Sequence, residues 1–373
     1  MVEGSDVMKS QHKIKVVQQV LAPRSKGGVS SEFRALKKSK LSETYEFVPL
    51  ILEEGHRGIN FKDILFYYHG IKKEKPDIVH VRGASVDGLN AEIAAKLAGN
   101  VKILVCVHGM YSDFVYYSPV KKWIAKHIIE PLCFTLADGI SCVYKNCETR
   151  DIFKKYKKKI VQYVYNRIPT YKFHDYENTR RMIREQYGIE ENDVVGVFCG
   201  RVSKEKGLVY MSNALACIQS DLSDNMHFFV VGEGDYLKEL LDRIKLYPKL
   251  HKCVHFLGVK EDVQPFLEAS DYFIMPSLHE NHSIALLEAM AMHLPAIATD
   301  VGGNKETVKD GKFGIIIPPY NDKALAEAIL RMSDQKEREF YKQQIKDYSF
   351  TEFRDEFVDK QLDLAYQSTL YKK

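Results

Sequence analysis

The chain has 373 residues, of which 45% are apolar and 28% charged, with a formal net charge of +4. That length corresponds to two domains of about 100–200 residues each. No apolar run reaches the roughly 18 residues of a spanning helix, and the first dozen residues are polar, so we expect neither a membrane span nor a secretory signal. The seven cysteines form no C-x-x-C pair, which favours reduced core residues over a zinc or disulfide framework. We therefore expect a soluble, cytoplasmic protein.

Charge is distributed unevenly along the chain. Residues 1–170 contain 28 basic and 17 acidic side chains, whereas residues 171–373 contain 26 and 33. No nucleic-acid-binding module accompanies the basic half, so we expect no nucleic-acid partner. An anionic membrane surface or a phosphate ligand is the favoured partner of that half.

The first half alternates short β-rich apolar runs with helical patterns. The predicted strands are residues 13–20, 46–51, 78–81, 101–107, 139–143 and 160–165. The predicted helices between them are residues 30–38, 61–73 and 88–97. This alternation is typical of a parallel sheet covered by helices.

The same rhythm restarts after the polar stretch 171–193. The predicted strands are residues 194–199, 227–231, 254–257, 272–275, 296–299 and 314–317. The predicted helices are residues 207–218, 236–246, 284–292 and 323–332. We therefore predict an α/β protein with two doubly wound, Rossmann-like domains, in which ligands bind beyond the carboxyl ends of the strands.

Glycines mark two of these strand ends. Gly27 and Gly28 follow the first strand and allow a backbone to approach an anion, although an ordinary turn explains the pair equally well. The G-x-G-x-x-G fingerprint is absent there, which disfavours a nicotinamide enzyme.

After the strand that ends at Cys199, Arg201 and Lys206 lie on a loop that opens a helix. Two cations so placed suit a diphosphate, and the alternative is a solvated basic loop.

A pair of glutamates lies near another strand end. Glu280 falls in a loop, and Glu288 lies on a helix that Ser283 caps. The free N–H groups of Ile284 and Ala285 point at an anion in this arrangement, and Glu288 accepts hydrogen bonds from ribose hydroxyls. The alternative is a helix with a surface glutamate at each end.

Three further glycine loops complete the set. They are Gly302-Gly303, followed by Glu306 on a short helix; Gly232-Glu233-Gly234; and Gly258-Val259-Lys260. Tight packing of a helix end against the sheet explains the first of them without any ligand.

The ordered series of motifs resembles the retaining GT-B glycosyltransferases of family four, also called glycosyl transferases group 1. The motifs are GGVS near the start, CVHG at 106–109, ADGISCV at 137–143, GRVSKEKG at 200–207, VVGEGDY at 230–236, the two glutamates Glu280 and Glu288 with LEAMAMHLPAIATDVGGNKE, and DG-x-x-G at 310–314. The resemblance implies an acceptor-binding domain over residues 1–168 and a nucleotide-sugar-binding domain over 169–348. It also implies a C-terminal helix within 349–373 that returns to the first domain.

The resemblance also implies roles for individual residues. Arg201 and Lys206 neutralise the donor diphosphate, Glu280 faces the donor sugar, and His108 contacts the sugar or its leaving oxygen. These four are the expected catalytic residues. Glu288 holds the ribose.

The base of the donor is expected against the backbone of Val259 and Lys260. Further expected contacts with the nucleotide sugar come from Gly27, Gly28, Gly200, Gly232, Ser283, Ile284 and Ala285. No metal or other cofactor is expected, because the cations replace a divalent ion, and a UDP-sugar is favoured over a GDP-sugar as donor.

Two segments depart from the family pattern. Asn281-His282-Ser283 replaces the usual small-aromatic-small triplet after the first glutamate, and VYNRIP at 164–169 leaves only Asn166 of the usual Asn-Gly hinge. Donor identity therefore does not carry over.

The expected reaction is sugar transfer to a lipid-linked or growing glycan acceptor in surface polysaccharide or glycolipid synthesis. The alternatives are a non-catalytic partner subunit, which the presence of all four polar site residues disfavours, and a sugar-nucleotide epimerase of similar fold.

One segment of the basic half predicts where such an enzyme works. Within residues 110–134, an apolar helical face is flanked by lysines. The face consists of Val120, Trp123, Ile124 and Ile128, and the lysines are Lys121, Lys122 and Lys126. The segment is either an ordinary core helix or an interfacial helix that binds anionic lipid on the inner face of the cytoplasmic membrane.

Overall fold

The computed structural model describes residues 13–21, 33, 35–52, 58–171 and 175–371. These residues form two six-stranded parallel sheets, with strand orders β2-β1-β3-β4-β5-β6 and β12-β11-β10-β7-β8-β9. The first sheet consists of β1 (Ile14–Leu21), β2 (Tyr45–Leu52), β3 (Ile78–Ala84), β4 (Lys102–Met110), β5 (Gly139–Cys142) and β6 (Ile160–Tyr163). The second consists of β7 (Val194–Cys199), β8 (Met226–Val231), β9 (Val254–Gly258), β10 (Tyr272–Met275), β11 (Ala296–Thr299) and β12 (Gly314–Ile317).

Helices connect the strands on both faces of each sheet. The first part of the chain has α1 (Leu41–Thr44), α2 (Phe61–Glu74), α3 (Val86–Ala98), α4 (Pro119–Ile124), α5 (Glu130–Leu136) and α6 (Asp151–Lys155). The second part has α7 (Tyr176–Gln186), α8 (Leu208–Ile218), α9 (Leu237–Lys245), α10 (Pro248–Cys253), α11 (Gln264–Glu268), α12 (Ile284–Ala291), α13 (Asn304–Thr307), α14 (Asp322–Ser333), α15 (Gln335–Lys346) and α16 (Asp355–Tyr371). The predicted α/β class with two doubly wound sheets is confirmed.

The central strands are buried along their whole length, which is why the sequence shows them as continuous apolar runs. All twelve predicted strands are present, with small differences at their ends. Of the predicted helix 30–38, residues 33 and 35–38 are described and are helical, and the other four lie outside the described residues.

The last helix, α16, packs against the first sheet. The Tyr366 hydroxyl accepts a hydrogen bond from Gln18 Nε2 at 3.0 Å and lies 2.8 Å from His80 Nδ1. All three side chains are buried, so this polar cluster fixes the register of α16 on β1 and β3.

The segment that contains Lys121, Lys122 and Lys126 is not one regular helix. A π-helical turn, Ala125–Ile129, separates α4 from α5, and the Glu130 N–H donates to the Ala125 carbonyl. Pro131 follows directly and has no N–H to continue the α-helical ladder, which accounts for the turn. Among the described residues, no helix has both the length and the hydrophobicity needed to cross a membrane.

Two smaller expectations are corrected. Cys217 is exposed, whereas the other six cysteines are buried as expected, and all seven are free thiols. The sequence also predicts that the lysine cluster at 154–159 is a solvated helix end rather than a binding patch, and the structure shows that this is incomplete. Lys159 Nζ donates to the carbonyls of Phe134, Thr135 and Ala137, at 3.0, 2.6 and 2.8 Å, and so satisfies the C-terminus of α5.

A buried carboxylate ties α7 to the second sheet. Asp271 bonds to Arg184 Nη2 and Arg180 Nη2, each at 2.8 Å, and accepts the Val195 N–H at 2.8 Å. Burial acts to raise the pKa of Asp271, but the charges of the two arginines and this N–H hold it below its usual value.

Replacing Asp271 with Asn is expected to lower the free energy of unfolding at neutral pH by about 3 kcal/mol, because the buried Arg184 and the half-buried Arg180 lose the carboxylate that both contact. Urea unfolding measures the loss. A depressed folded-state pKa stabilises only above the unfolded-state pKa, so the difference from wild type should shrink as the pH falls below about 4. Asp224→Asn is the control, since that side chain is 98% exposed in its ion pair with Lys249. Equal stability of both variants would contradict the assignment.

Candidate functional site

At the carboxyl edge of the second sheet, the loops pack so closely that their main chains are in direct contact. Gly207, at the start of α8, has φ of +72°, and a Cβ there would lie 1.7 Å from the Pro276 carbonyl oxygen after β10. Only glycine fits that approach. The Leu278 N–H also donates to the Glu205 carbonyl at 2.9 Å. The loop after β7 is therefore fixed against the loop after β10.

This packing brings two predicted site residues into direct contact. Lys206 Nζ lies 2.5 Å from Glu280 Oε1, and the Ser277 hydroxyl donates to the same oxygen at 2.8 Å. The Glu280 side chain is 10% exposed and that of Lys206 is 27% exposed. The pair thus presents one cation and one hydrogen-bond acceptor at a single, partly solvated point.

The Glu280 loop is held from its other side by the loop that follows β11. Gly302 has φ of +54°, and a Cβ there would lie 2.1 Å from the Glu280 carbonyl oxygen. The Gly303 N–H donates to the Asn281 carbonyl at 2.6 Å. The Gly302-Gly303 pair is therefore used for close packing, as the sequence indicates, and what it packs against is the Glu280 loop.

The remaining glycine loops join at the same edge. The Gly200 N–H donates to the Val231 carbonyl at 2.9 Å, and the Gly232 N–H donates to the Gly258 carbonyl at 2.8 Å. Arg201 is exposed beside them. Val259 is 66% exposed, and Lys260 Nζ lies 5.2 Å above the Phe266 ring.

Helix α12 begins as the sequence predicts. The Ser283 hydroxyl accepts a hydrogen bond from the Leu286 N–H at 3.3 Å. Ile284 and Ala285 form the first turn, with Ile284 40% exposed. The helix therefore presents its N-terminus next to the Glu280 loop.

Glu288, one turn further along α12, is a carboxyl group in a poorly solvated place. Burial, followed by the charge of Asp262, raises its pKa to about 7. A carboxyl group kept at a position that disfavours its charge is typical of a functional site. Glu288 in turn raises the pKa of Tyr171 and Cys199, after the larger effect of burial on each.

The first domain lies directly opposite these loops. A Cβ on Gly109, which follows His108 in β4, would lie 3.4 Å from Asn281 Nδ2. The Phe114 ring centroid is 6.4 Å from that of His279, and the Tyr116 hydroxyl accepts the Glu205 N–H at 2.9 Å. The carboxyl end of β4, where His108 precedes Gly109, thus lies beside the loop that carries Glu280.

Glu306 joins the two domains, a role that the sequence did not reveal. Its carboxylate accepts the Lys145 N–H at 3.0 Å, the neighbouring Asn146 N–H and, at 3.3 Å, the Tyr165 hydroxyl. The two N–H groups begin a short 3₁₀ helix and have no partner within it. A carboxylate beside a glycine pair gives no sequence signal for such a contact.

Other predicted residues lie elsewhere. Gly27 and Gly28 lie outside the described residues. Val120 and Trp123 are 67% and 57% exposed, and Ile124 and Ile128 are also exposed, with Lys121 and Lys126 exposed beside them and Lys122 partly exposed. The described residues include no cluster of three His, Cys, Asp or Glu side chains able to hold a metal ion.

Two family descriptions match the chain almost end to end. "Glycosyltransferase Family 4" matches residues 11–172, and "Glycosyl transferases group 1" matches residues 179–348. A solved structure of Anabaena HepE with UDP and glucose superposes with a TM-score of 0.75 at 19% identity, covering 95% of this chain and all of that one. The fold is therefore GT-B, two Rossmann-like domains facing each other across a cleft.

Curated relatives agree with these matches. The chain is 28% identical over 298 residues, 78% of its length and 75% of the relative's, to the Escherichia coli UDP-Gal:α-D-GlcNAc-diphosphoundecaprenol α-1,3-galactosyltransferase. It is 26% identical over 303 residues, 80% and 76% of the two lengths, to the Bacillus anthracis N-acetyl-α-D-glucosaminyl L-malate synthase. The chain belongs to the GT-B glycosyltransferases of family four, and it is a glycosyltransferase.

Glu288 is expected to destabilise the fold above neutral pH. Because its folded-state pKa of about 7 is raised, the folded chain keeps a proton that the unfolded chain loses near pH 4.3, so its contribution to stability falls as pH rises through that window. Glu288→Gln should therefore be more stable than wild type by about 2 kcal/mol near pH 8, with a much smaller gain near pH 5. Chemical unfolding at the two pH values measures this, and a gain independent of pH would contradict the raised pKa.

Proposed function

We propose that this glycosyltransferase moves a sugar, with retention of anomeric configuration, from a UDP-sugar to a lipid-linked or growing glycan acceptor. The observation that carries the proposal is the Lys206–Glu280 pair at the carboxyl edge of the second sheet, faced by the first domain. A cation suits a diphosphate, and the adjoining carboxylate suits sugar hydroxyls. The choice of UDP draws support from relatives whose names or bound ligands include it.

The scheme assigns roles to predicted residues that the structure describes. Arg201 and Lys206 bind the diphosphate, aided by the N–H groups of Ile284 and Ala285 at the start of α12. Glu288 accepts hydrogen bonds from the ribose hydroxyls.

The base lies against the exposed backbone at Val259 and Lys260, near the Gly200 and Gly232 loops. Glu280 orients the donor sugar, and His108 approaches the sugar from the first domain. Each role is a proposal that the placement of the residue supports.

The proposed chemistry is substitution on one face of the sugar. The bond between the anomeric carbon and the diphosphate oxygen breaks, an acceptor oxygen bonds to that carbon on the same face, and the acceptor proton passes to the departing diphosphate. Fixed cations stabilise the negative charge that grows on the leaving oxygen. The proposal does not use the two-carboxylate scheme of glycoside hydrolases, because it assigns a single carboxylate, Glu280, to the donor sugar.

We also propose that the enzyme works on an anionic membrane surface at the cytoplasmic face. The apolar side chains of Val120, Trp123, Ile124 and Ile128 face outward rather than into the core, and lysines flank them. An exposed apolar face beside cations is typical of a helix that lies in a lipid interface. Such a surface brings a lipid-linked acceptor close to the first domain.

The transferase proposal is tested by nucleotide release from UDP-, GDP- and ADP-sugars, with and without an α-N-acetylglucosaminyl diphosphate lipid as acceptor. We expect UDP release that the acceptor stimulates and EDTA leaves unchanged. Lys206→Ala and Arg201→Ala should each reduce turnover by about 10²–10³-fold, because a fixed cation facing developing charge is lost.

Lys204→Ala is the matched control, since Lys204 lies on the same turn but pairs with Glu239. Full activity of Lys206→Ala and Arg201→Ala would refute the diphosphate role. Reversible loss of activity on chelation would refute the metal-free scheme. A wild-type protein that only stabilises another transferase would release no nucleotide from any donor.

The membrane proposal is tested through Trp123, the single tryptophan. Phosphatidylglycerol vesicles should shift its emission to the blue and co-sediment the protein, and high salt should reverse both effects. Replacing Lys121, Lys122 and Lys126 by Gln should weaken binding strongly, since each lysine contributes about 1 kcal/mol at such a surface. The same replacements at the exposed Lys238, Lys245 and Lys252 of the second domain are the control. An unchanged emission spectrum and no co-sedimentation would refute the proposal and favour a soluble acceptor.

A further inference from the structure

The segment that connects the two domains makes a two-point contact with the Glu280 loop. The Asn166 N–H donates to His282 Nδ1 at 3.0 Å, and Asn166 Nδ2 donates to the His282 carbonyl at 2.7 Å. His282 lies in the triplet that departs from the family pattern, whereas Asn166 is the residue that this chain keeps of the Asn-Gly hinge, followed by Arg167 in place of the glycine. The departing triplet is therefore bonded to the connecting segment through one contact, which we call the Asn166–His282 contact.

The imidazole of His282 is fixed in one orientation and one tautomer. The side chain is buried, with ring centroids of Tyr165 and Phe353 at 5.4 and 5.1 Å. Burial, followed by the charge of Lys309, lowers its pKa to about 3, so the ring is neutral at physiological pH. Because Nδ1 accepts the Asn166 N–H, the proton lies on Nε2.

That arrangement costs stability, which argues for a positioning role. Nε2 has no hydrogen-bond partner among the described residues, and a buried donor without a partner costs free energy. A phenylalanine would fill the same space between Tyr165 and Phe353 without that cost. What the imidazole adds is the Nδ1 acceptor that holds Asn166.

Both ends of the contact are anchored. Arg167, next to Asn166, bonds to Asp359 at 2.6 Å and to Asp355 at 3.2 Å, at the start of α16. On the other side, His282 follows Glu280 by two residues in a loop whose Asn281 carbonyl accepts the Gly303 N–H. A shift of His282 must therefore shift the main chain that carries Glu280.

We propose that His282 is a positioning residue, which holds Glu280 against Lys206 by bonding the Glu280 loop to the connecting segment at Asn166. The inference rests on the proposed function for its effect on turnover. Its structural part is that the contact keeps residues 277–283 well ordered, and this part does not depend on the proposed function.

Three variants distinguish the effect of the Nδ1 acceptor from the effect of the shape of the ring. His282→Phe keeps the ring volume and loses the acceptor, whereas His282→Asn loses the ring and returns an acceptor oxygen near the position of Nδ1. Asn166→Ala removes the side-chain half of the contact without touching the loop. Thermal unfolding of each variant establishes that it is folded.

The first measurement needs no substrate. Hydrogen–deuterium exchange in peptides covering residues 277–283 should rise by about tenfold in His282→Phe and Asn166→Ala, the scale of one lost hydrogen bond, and return towards wild type in His282→Asn. In the same variants the kcat for the UDP-sugar should fall by a similar factor, while calorimetric affinity for UDP stays unchanged, because Glu288 and the cations still hold the nucleotide.

The inference is overturned if His282→Phe leaves both exchange and kcat at wild-type values, or if His282→Asn is as damaging as His282→Phe. A variant that loses UDP affinity and kcat together would also overturn it, because the loss would then be structural. If wild type turns over no nucleotide sugar, the proposed function fails, and the exchange result alone decides whether the contact orders the loop.

Discussion

The close approach of main chains at the carboxyl edge of the second sheet is the constraint on which the site depends. Where Gly207 meets the Pro276 carbonyl and Gly302 meets the Glu280 carbonyl, a single added methyl group would collide with backbone. Those two approaches hold the loops after β7, β10 and β11 in one arrangement. The contact between Lys206 and Glu280 follows from that arrangement, since the residues come from different loops.

The site is completed from the first domain, mostly through main-chain groups. Tyr116 accepts an N–H from the Lys206 loop, Asn166 donates an N–H to His282, and Glu306 caps the N–H groups that begin a 3₁₀ helix. Because these hydrogen bonds involve main-chain N–H groups, they restrict how one domain can shift relative to the other. The carboxyl end of β4, which carries His108, is thereby brought beside the Glu280 loop.

The strands could be predicted from sequence because parallel strands covered on both faces are continuous apolar runs. Arg201, Lys206 and Glu280 could be selected from the sequence as site candidates because they lie in loops at strand ends, and their roles stay predictions. The Lys206–Glu280 contact could not be read directly, because it joins residues 74 positions apart. Glu306 and His282 were missed as contacts for the same reason: their partners lie across the domain boundary, and no local pattern encodes them. For Val120 and Trp123, the sequence left core and interfacial helix open, and their exposure favours the interfacial one.

Hydrogen–deuterium exchange of the wild-type protein with and without UDP tests whether a nucleotide binds on these loops. UDP should slow exchange in peptides covering residues 200–207, 258–260 and 277–288, and should leave exchange on the exposed surface of α9 unchanged. Protection that is absent from these three segments, or confined to other parts of the chain, would contradict nucleotide binding on these loops.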